Sequence, residues 1–200
     1  RVIITSSFAA LANNGDPPTH VYTEKAAWEF IEREKPGFDL VTICPTMVYG
    51  PVLQEVTSLD NINASSLQFY RVFNGQDNAL NPFGVWLWVD VRDVATAHVA
   101  ALEKPEAGGK RFLLAEGNFN LGQVAEYIWT HYPERAEAKG IPRSTPTSGY
   151  PRTLYPEGVY SADTSAAKTI LGIEYIKFED MLKDQLAQFV TLEKELAGAQ

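Results

Sequence analysis

The chain has 200 residues, of which 45% are apolar, and a formal net charge of −8 at pH 7, which suits one domain, or one and a half, with a real core. The acidic balance excludes a nucleic-acid partner, because no run of Lys or Arg is present to neutralise phosphates. The single cysteine, Cys44, excludes an internal disulfide and a cysteine-based metal site. No apolar run reaches the ~20 residues that span a bilayer. We therefore expect a cytoplasmic protein with neither metal nor membrane partner.

The first quarter of the chain predicts a strand–helix–strand unit. Residues 2–5 form a β-branched run typical of a buried parallel strand, and 39–44 (DLVTIC) form a second one. Between them, 24–34 predicts a helix. Its apolar face is formed by Ala27, Phe30 and Ile31. Because a domain rarely begins with its central strand, we expect further residues upstream of Arg1 in the complete protein.

The remainder of the chain continues the alternation of strands and helices. Strands are predicted at 85–89 and 111–115, and helices at 65–73, 93–103, from 120 onward, at 163–171 and at 179–196. Asn120 and Gln123 are spaced as a capping box. Residues 133–159 carry many Pro, Gly, Ser and Thr and predict an irregular surface segment. The pattern indicates an α/β sheet protein.

Two polar segments follow the first two predicted strands. Ser7 closes Thr5-Ser6-Ser7, and a hydroxyl at the carboxyl end of a parallel strand points into the crevice where ligands bind. The segment 44–51 (CPTMVYGP) contains two prolines and a glycine, which favour a rigid loop able to press against a flat cofactor ring. An ordinary polar strand end and a plain structural turn are the alternatives for these two segments.

Three further residues at a strand–helix junction are candidates for chemistry. Asp90 and Asp93 suit a helix N-terminus through capping and the helix dipole, and a catalytic carboxylate is the alternative. His98 lies inside the following helix with no second ligand at metal spacing, so we expect a structural histidine.

Phosphate and substrate sites give weaker signals. Phe83 and Trp86 suit a substrate pocket, although core packing is the commoner role of aromatic side chains. Gly108-Gly109 precedes a strand instead of a helix, so these glycines do not predict a pyrophosphate site at a helix N-terminus.

Residues 22–25 (YTEK) nearly match the catalytic motif of a short-chain reductase. That motif needs a tyrosine and a lysine four residues apart, because the ammonium lowers the pKa of the tyrosine that gives or takes a proton. Here Tyr22 and Lys25 are three residues apart. We therefore expect Lys25 to face solvent and Tyr22 OH to lie out of hydrogen-bond reach of Ser7.

As an ordered set, these segments resemble the extended short-chain dehydrogenase/reductase superfamily, which includes the NAD-dependent epimerases and dehydratases. The resemblance is greatest to the dihydroflavonol-reductase-like group with its fungal NADPH-dependent methylglyoxal and aldehyde/ketone reductases. The stretches that carry it are VIITSSFAAL, EKAAWEFIEREKPGFDLVTICPTMVYGP, WLWVDVRDVATAHVAALEKPEAGGKRFLLAEG and, more loosely, YSADTSAAKTILGIEYI.

The resemblance implies a partial Rossmann-type parallel sheet with a smaller α/β C-terminal substrate region. Residues 1–51 would be the C-terminal part of the NAD(P)-binding domain. Residues 52–200 would mostly bind substrate, with about 85–103 returning to the sheet. The implied cofactor is NADP(H), and the implied partner is a small-molecule carbonyl substrate. The family's glycine-rich turn lies upstream of its fifth strand, and the resemblance implies that this chain begins at that strand.

The resemblance also assigns residues to roles. The catalytic serine maps onto Ser7, the loop that flanks the nicotinamide maps onto Pro45, Thr46 and Val48, and the substrate region includes the stretch from Phe83 to Trp86.

The family's catalytic tyrosine and lysine do not map onto Tyr22 and Lys25. Aligned on Glu24, the tyrosine slot falls on Asp16 and the lysine slot on His20. We interpret the mismatch as an internal deletion between Glu24 and Lys25.

Two hypotheses remain open from the sequence. One is a carbonyl reductase that is catalytically impaired in this form. The other is a non-catalytic remnant or partner-binding fragment of such an enzyme, with an exposed sheet edge.

Overall fold

A computed structural model describes residues 1–11, 19–77, 80, 85–143 and 159–198. The strands are β1 (Val2–Thr5), β2 (Leu40–Pro45), β3 (Met47–Tyr49), β4 (Leu87–Asp90), β5 (Arg111–Leu114) and β6 (Gly117–Asn118). The helices are α1 (Thr19–Glu34), α2 (Ala64–Phe73), α3 (Val91–Glu103), α4 (Leu121–His131), α5 (Pro133–Ala138) and α6 (Phe178–Gly198). A π-helical turn spans Ala167–Leu171. None of the helices in these ranges is long and apolar enough to cross a bilayer.

The first sheet is parallel and has the strand order β1–β2–β5. Thr5 pairs with Ile43, and Thr42 pairs with Arg111. The predicted α/β fold is therefore confirmed, and the two strands predicted to be parallel are direct neighbours. Because parallel strands share a direction, their carboxyl ends meet at one edge of the sheet.

The two faces of this sheet differ in chemistry, because successive side chains on a strand point to opposite faces. On one face, Val41 and Ile43 of β2 and Phe112 of β5 join an apolar core with Ala97 and Ala101 of α3. The opposite face, which contacts α1, carries polar side chains instead. Those side chains are Thr42, Cys44 and Arg111.

The second sheet has the strand order β3–β4–β6. Its strand β3 falls within the segment 44–51 that the sequence predicted to be a loop. Likewise α5 falls within the predicted irregular segment 133–159, where Pro133 at the first helical position is preorganised to start a helix. On α1, Phe30 is 42% exposed and lies outside the buried face that the sequence predicted for it.

The chain divides into two compact units. Unit 1 comprises Arg1–Val48, Leu87–Gly117 and Ser161–Ile176, and unit 2 comprises Tyr49–Trp86, Asn118–Tyr160 and Lys177–Gln200. The sheet β1–β2–β5 and helix α3 lie within unit 1. The assignment of 1–51 to nucleotide binding and of 52–200 mostly to substrate binding stays a prediction.

Unit 2 has an aromatic core. The ring of Tyr49 stacks on Phe69 at 4.0 Å between centroids, and Phe119 meets both rings edge-on. Asn120 and Gln123 form the predicted capping box at the start of α4. Burial of several rings in one cluster gives this unit a stabilising centre of its own.

Candidate active site

The two polar segments predicted at strand ends meet at the carboxyl edge of the parallel sheet. Ser6 follows β1 and donates its backbone N–H to Ile43 O at 2.7 Å. Thr46 follows β2 and donates its backbone N–H to Leu114 O of β5 at 3.1 Å. Ser7 and the segment that begins at Pro45 therefore emerge from neighbouring strands at one edge, where α/β sheets bind their ligands.

Ser7 is the N-cap of a short 3₁₀ turn, Phe8–Ala10. Its Oγ accepts the backbone N–H of Ala9 at 3.1 Å, and its side chain is half-buried. In the part of the chain that the structure describes, no acceptor takes the hydroxyl proton of Ser7. This hydroxyl can therefore donate to a ligand oxygen without breaking its own capping bond.

The segment after β2 is rigid. Pro45 is the last residue of β2 and has a fixed φ and no backbone N–H. The buried Thr46 donates its Oγ1 proton to Leu114 O at 3.0 Å, and Val48 lies in β3 and packs against the apolar core of unit 1. These residues form a firm edge at the end of β2, and their role toward a ligand stays a prediction.

Tyr22 and Lys25 do not converge on Ser7. Tyr22 is 60% exposed, and the Lys25 ammonium lies on the outer surface of α1, 3.6 Å from Glu29. No hydrogen bond joins Tyr22 OH to Ser7 Oγ among the contacts of residues 1–11 and 19–34. Ser7, Tyr22 and Lys25 therefore do not form a serine–tyrosine–lysine catalytic group.

The predicted substrate residues are placed differently. Phe83 lies outside the described residues. Trp86 is buried, with 8% of its surface exposed, and its carbonyl accepts the backbone N–H of Phe119 at 2.8 Å within unit 2. The role of this aromatic pair stays a prediction.

Asp90 is the N-cap of α3, as its position predicted. Its Oδ1 accepts the backbone N–H of Arg92 at 2.8 Å, and the Arg92 guanidinium binds both carboxylate oxygens. Asp93 is buried one turn later, and its carboxylate accepts the backbone N–H of Ile176 at 3.0 Å. Both carboxylates are thus engaged in holding the start of α3, which favours the structural interpretation over the catalytic one.

Replacing Asp93 by Asn is expected to flatten the pH dependence of stability between about pH 4 and pH 6. Burial, assisted by the charge of Asp90, raises the pKa of Asp93 to about 6. The contribution of Asp93 to the unfolding free energy is therefore fully present below the unfolded-state pKa of about 3.9, and it is lost as pH rises through the folded-state pKa. The wild-type chain should lose on the order of 2 kcal/mol of unfolding free energy across this window.

Urea unfolding of Asp93→Asn and the wild-type chain at several pH values measures this effect. Asp163→Asn is the matched control, because Asp163 is exposed and caps a helical turn through Ser165 N. Equal slopes in Asp93→Asn and wild type would contradict the assignment.

The main polar cluster of unit 1 centres on Glu24, which sequence reasoning treated only as an alignment anchor. The carboxylate is buried, with 3% of the residue exposed, and accepts hydrogen bonds from side chains on α1 and on or after all three strands of the parallel sheet. The donors to Oε1 are Trp28 Nε1 at 3.2 Å, Thr42 Oγ1 at 3.0 Å and Arg111 Nε at 2.6 Å; those to Oε2 are Ser6 Oγ at 2.5 Å and Cys44 Sγ at 3.6 Å. We call these six residues the Glu24 cluster.

The Glu24 cluster keeps its carboxylate ionised. Burial alone would raise the pKa of Glu24, but hydrogen bonds from Ser6, Arg111 and other donors hold it below its usual range. The thiol of Cys44 behaves in the opposite way, since burial together with the Glu24 charge raises its pKa to about 11. Cys44 is therefore a neutral donor in this cluster and not a nucleophile.

The signal that predicts this cluster is a carboxylate at an apolar position of α1. Val21, Glu24, Trp28 and Ile31 follow the three- and four-residue spacing of an inward helical face. An acidic residue there needs partners, because an isolated buried carboxylate is very costly. The hydroxyl and thiol of Thr42 and Cys44, two residues apart on β2, supply part of that partnership.

His98 occupies the opposite side of the same strand end. Its Nδ1 lies 2.8 Å from Val94 O, a position that requires Nδ1–H to donate. In the neutral ring, Nε2 then accepts the hydroxyl proton of Thr5 at 2.7 Å. His98 is thus a structural histidine, as predicted. Across the described ranges, no group of three or more His, Cys, Asp or Glu is arranged to hold a metal.

A dinucleotide fits part of this edge only. The rigid Pro45–Val48 segment next to Ser7 suits the nicotinamide end. A pyrophosphate needs free N–H groups at a helix N-terminus, and the first turn of α3 is instead occupied by Asp90 and Asp93. Gly108 provides no cradle either, because a Cβ there would collide with the Asp39 carboxylate. Neither the start of α3 nor Gly108 therefore offers a pyrophosphate seat.

Comparisons with known proteins agree with this geometry. No protein-family model matches the chain. The ketoreductase azaE of Aspergillus niger is 40% identical over 205 residues, a match that covers 88% of this chain and 58% of that protein. The NADPH-dependent methylglyoxal reductase GRE2 of Saccharomyces cerevisiae is 29% identical over 227 residues, covering 96% of this chain and 64% of that protein.

The solved structure of yeast methylglyoxal/isovaleraldehyde reductase Gre2 complexed with NADPH superposes with a TM-score of 0.74 at 25% identity. It covers 97% of this chain and 64% of that protein. The sequence match to GRE2 spans 227 residues while this chain has only 200, so GRE2 has residues inside the matched region that this chain lacks. The chain belongs to the extended short-chain dehydrogenase/reductase superfamily.

Proposed function

We propose that this chain is part of an NADPH-dependent oxidoreductase that reduces aldehyde or ketone carbonyls to alcohols. The observation that supports the proposal is the placement of the Ser7 hydroxyl beside the rigid Pro45–Val48 segment at the carboxyl edge of the parallel sheet. Its sequence relatives and the Gre2 structure add support, since their names describe reductases of this class. A small-molecule carbonyl compound is the proposed substrate.

Ser7 is proposed to orient the substrate. Its hydroxyl proton would point at the carbonyl oxygen and polarise the carbonyl, while Oγ keeps accepting the Ala9 N–H. Pro45, Thr46 and Val48 would hold the nicotinamide, and Phe83 and Trp86 would contact the substrate. NADPH, when bound, supplies the hydride that adds to the carbonyl carbon.

The proton for the alcohol oxygen requires a separate donor. In the family pattern that donor and its lysine stand at the positions of Asp16 and His20, and Tyr22 and Lys25 are exposed on α1. A polypeptide of residues 1–200 alone is therefore expected neither to bind NADPH tightly nor to reduce carbonyls. Loss of a general acid alone lowers the rate by about 10²–10⁴-fold.

We also propose that nucleotide binding and substrate binding are assigned to different parts of the chain. Residues 1–51 would contribute to nucleotide binding, residues 52–200 mostly to substrate binding, and about 85–103 to the nucleotide side, consistent with α3 in unit 1. A reducing compartment, the cytoplasm, suits a chain whose one cysteine is a buried free thiol.

A chimera tests the proposed role of Ser7. Residues 1–24 and 25–200 replace the matching parts of the Aspergillus niger ketoreductase, and that enzyme's own residues fill the interval between Glu24 and Lys25, where we interpret a deletion. We expect no NADPH-dependent ketone reduction when Glu24 and Lys25 are joined directly, and measurable turnover when the interval is filled, because the family's proton donor and its lysine are then restored. Adding Ser7→Ala should then lower kcat by about 10²–10⁴-fold, read as NADPH absorbance loss.

Ser58→Ala is the matched control for this experiment. Ser58 caps the 3₁₀ turn Leu59–Asn61 through Asp60 N at 3.3 Å, as Ser7 caps Phe8–Ala10. This variant loses a cap without losing a substrate contact, so its activity should stay near that of the parent. If Ser7→Ala were no more harmful than Ser58→Ala, capping would be the whole role of Ser7.

A further inference from the structure

The strand end that carries Ser7 is anchored on both faces of the parallel sheet. Thr5 donates its hydroxyl proton to His98 Nε2 on the α3 face at 2.7 Å. Ser6 donates its hydroxyl proton to Glu24 Oε2 on the α1 face at 2.5 Å. Two consecutive side chains before Ser7 are therefore committed to opposite partners, which leaves the backbone at Ser7 little freedom to shift.

The anchor on the α1 face is the more restrictive of the two. Glu24 receives Ser6 on Oε2 while its Oε1 receives Thr42 of β2 and Arg111 of β5. Moving or rotating α1 would break bonds to both neighbouring strands at once. The position of Ser6 is thus tied to the rotation of α1 about its axis.

The carboxylate that fixes Ser6 therefore also fixes the strand end from which Ser7 emerges. The meaning of this coupling for substrate orientation rests on the proposed function.

We propose that Glu24 is a positioning residue, which sets the distance and rotation between the Ser7 turn and helix α1. It has no contact with substrate in this role and acts through Ser6. The role needs an ionised carboxylate with two accepting oxygens, which an amide at the same position supplies only in part.

The test uses the 200-residue protein labelled with ¹⁵N. Its probes are the backbone amides of Ser7 and Ala9 and the indole N–H of Trp28, the last two of which donate to Ser7 Oγ and to Glu24. Glu24→Gln should shift all three resonances and speed exchange of the Ala9 amide about tenfold or more with solvent deuterium.

The matched control is Glu29→Gln, which removes a carboxylate from the exposed side of the same helix. It should leave the Ser7 and Ala9 resonances in place. Ser6→Ala breaks only the link between the turn and Glu24, and it should move Ala9 but not Trp28. This second variant decides the question if Glu24→Gln does not fold.

A pH titration gives a readout that a merely structural carboxylate would not move. In the wild-type protein, the Trp28 and Ala9 resonances should titrate together with one pKa below that of an ordinary glutamate. Ser7 and Ala9 signals that stay fixed in Ser6→Ala, or in folded Glu24→Gln, would overturn the proposal. Because none of these readouts needs turnover, an inactive chimera would count against the proposed function and not against this coupling.

Discussion

Glu24→Ala is expected to lower the unfolding free energy of the chain by about 2–4 kcal/mol. The substitution leaves the hydroxyls of Ser6 and Thr42 and the Trp28 indole without their acceptor in a buried setting. The penalty is moderated because Arg111 is 43% exposed and can turn its guanidinium toward water. Urea unfolding followed by circular dichroism at pH 7 measures the difference.

Glu29→Ala serves as the control on the same helix, since its exposed pair with Lys25 contributes little. The pH dependence adds a second check. The pKa of Glu24 in the folded chain lies below its usual value. The contribution of Glu24 to the unfolding free energy is therefore present above the usual pKa, and it is lost as pH falls through the folded-state pKa. The gap between wild type and Glu24→Ala should therefore narrow below about pH 4. A gap that widens on acidification would contradict an ionised, hydrogen-bonded carboxylate.

Phe69→Ala is expected to cost about 3–5 kcal/mol, a loss typical of a large-to-small change in a close-packed core. Phe69 is fully buried and contacts Tyr49, Phe119 and Phe178 through stacked or edge-on rings. Removing its ring leaves a cavity and breaks three aromatic contacts in unit 2. Loss of near-UV circular dichroism together with a lower urea midpoint would register both effects.

Phe30→Ala makes the same chemical change at a site on α1 that is 42% exposed. It should cost well under half as much as Phe69→Ala. Comparable losses in the two variants would show that the Tyr49 and Phe69 rings do not form a tightly packed centre.

The regular elements of the fold were largely predictable from the sequence. Parallel strands at 2–5 and 40–45 follow from β-branched runs, and the capping box at Asn120 and Gln123 has a distinctive spacing. Strand β3 and helix α5 were missed because both are short and lie next to prolines, which are typical of loops. Phe30 was misplaced because the inward face of α1 runs through Glu24, whereas the predicted neighbours of Phe30 on that face, Ala27 and Ile31, are half-buried.

The candidate site was predictable only in part. The placement of Ser7 and Pro45 at one edge of the sheet was predicted because the carboxyl ends of parallel strands are a general ligand position, and their roles stay predictions. The Glu24 cluster was not, because its members come from four places in the sequence and only the register of the sheet brings them together. Pairing of Thr42 with Arg111, and of Thr5 with Ile43, is a tertiary fact that no local pattern contains.

The unequal faces of β2 imply two kinds of mutational tolerance along a single strand. At Val41 and Ile43, neighbours in the apolar core respond to size and shape, so volume-conserving replacements are the permissible ones. At Thr42 the requirement is a donated proton, and Val, which has nearly the same volume, does not meet it. Alternate positions of one strand are thus constrained by different physical quantities, and substitution scores averaged along the strand would hide both.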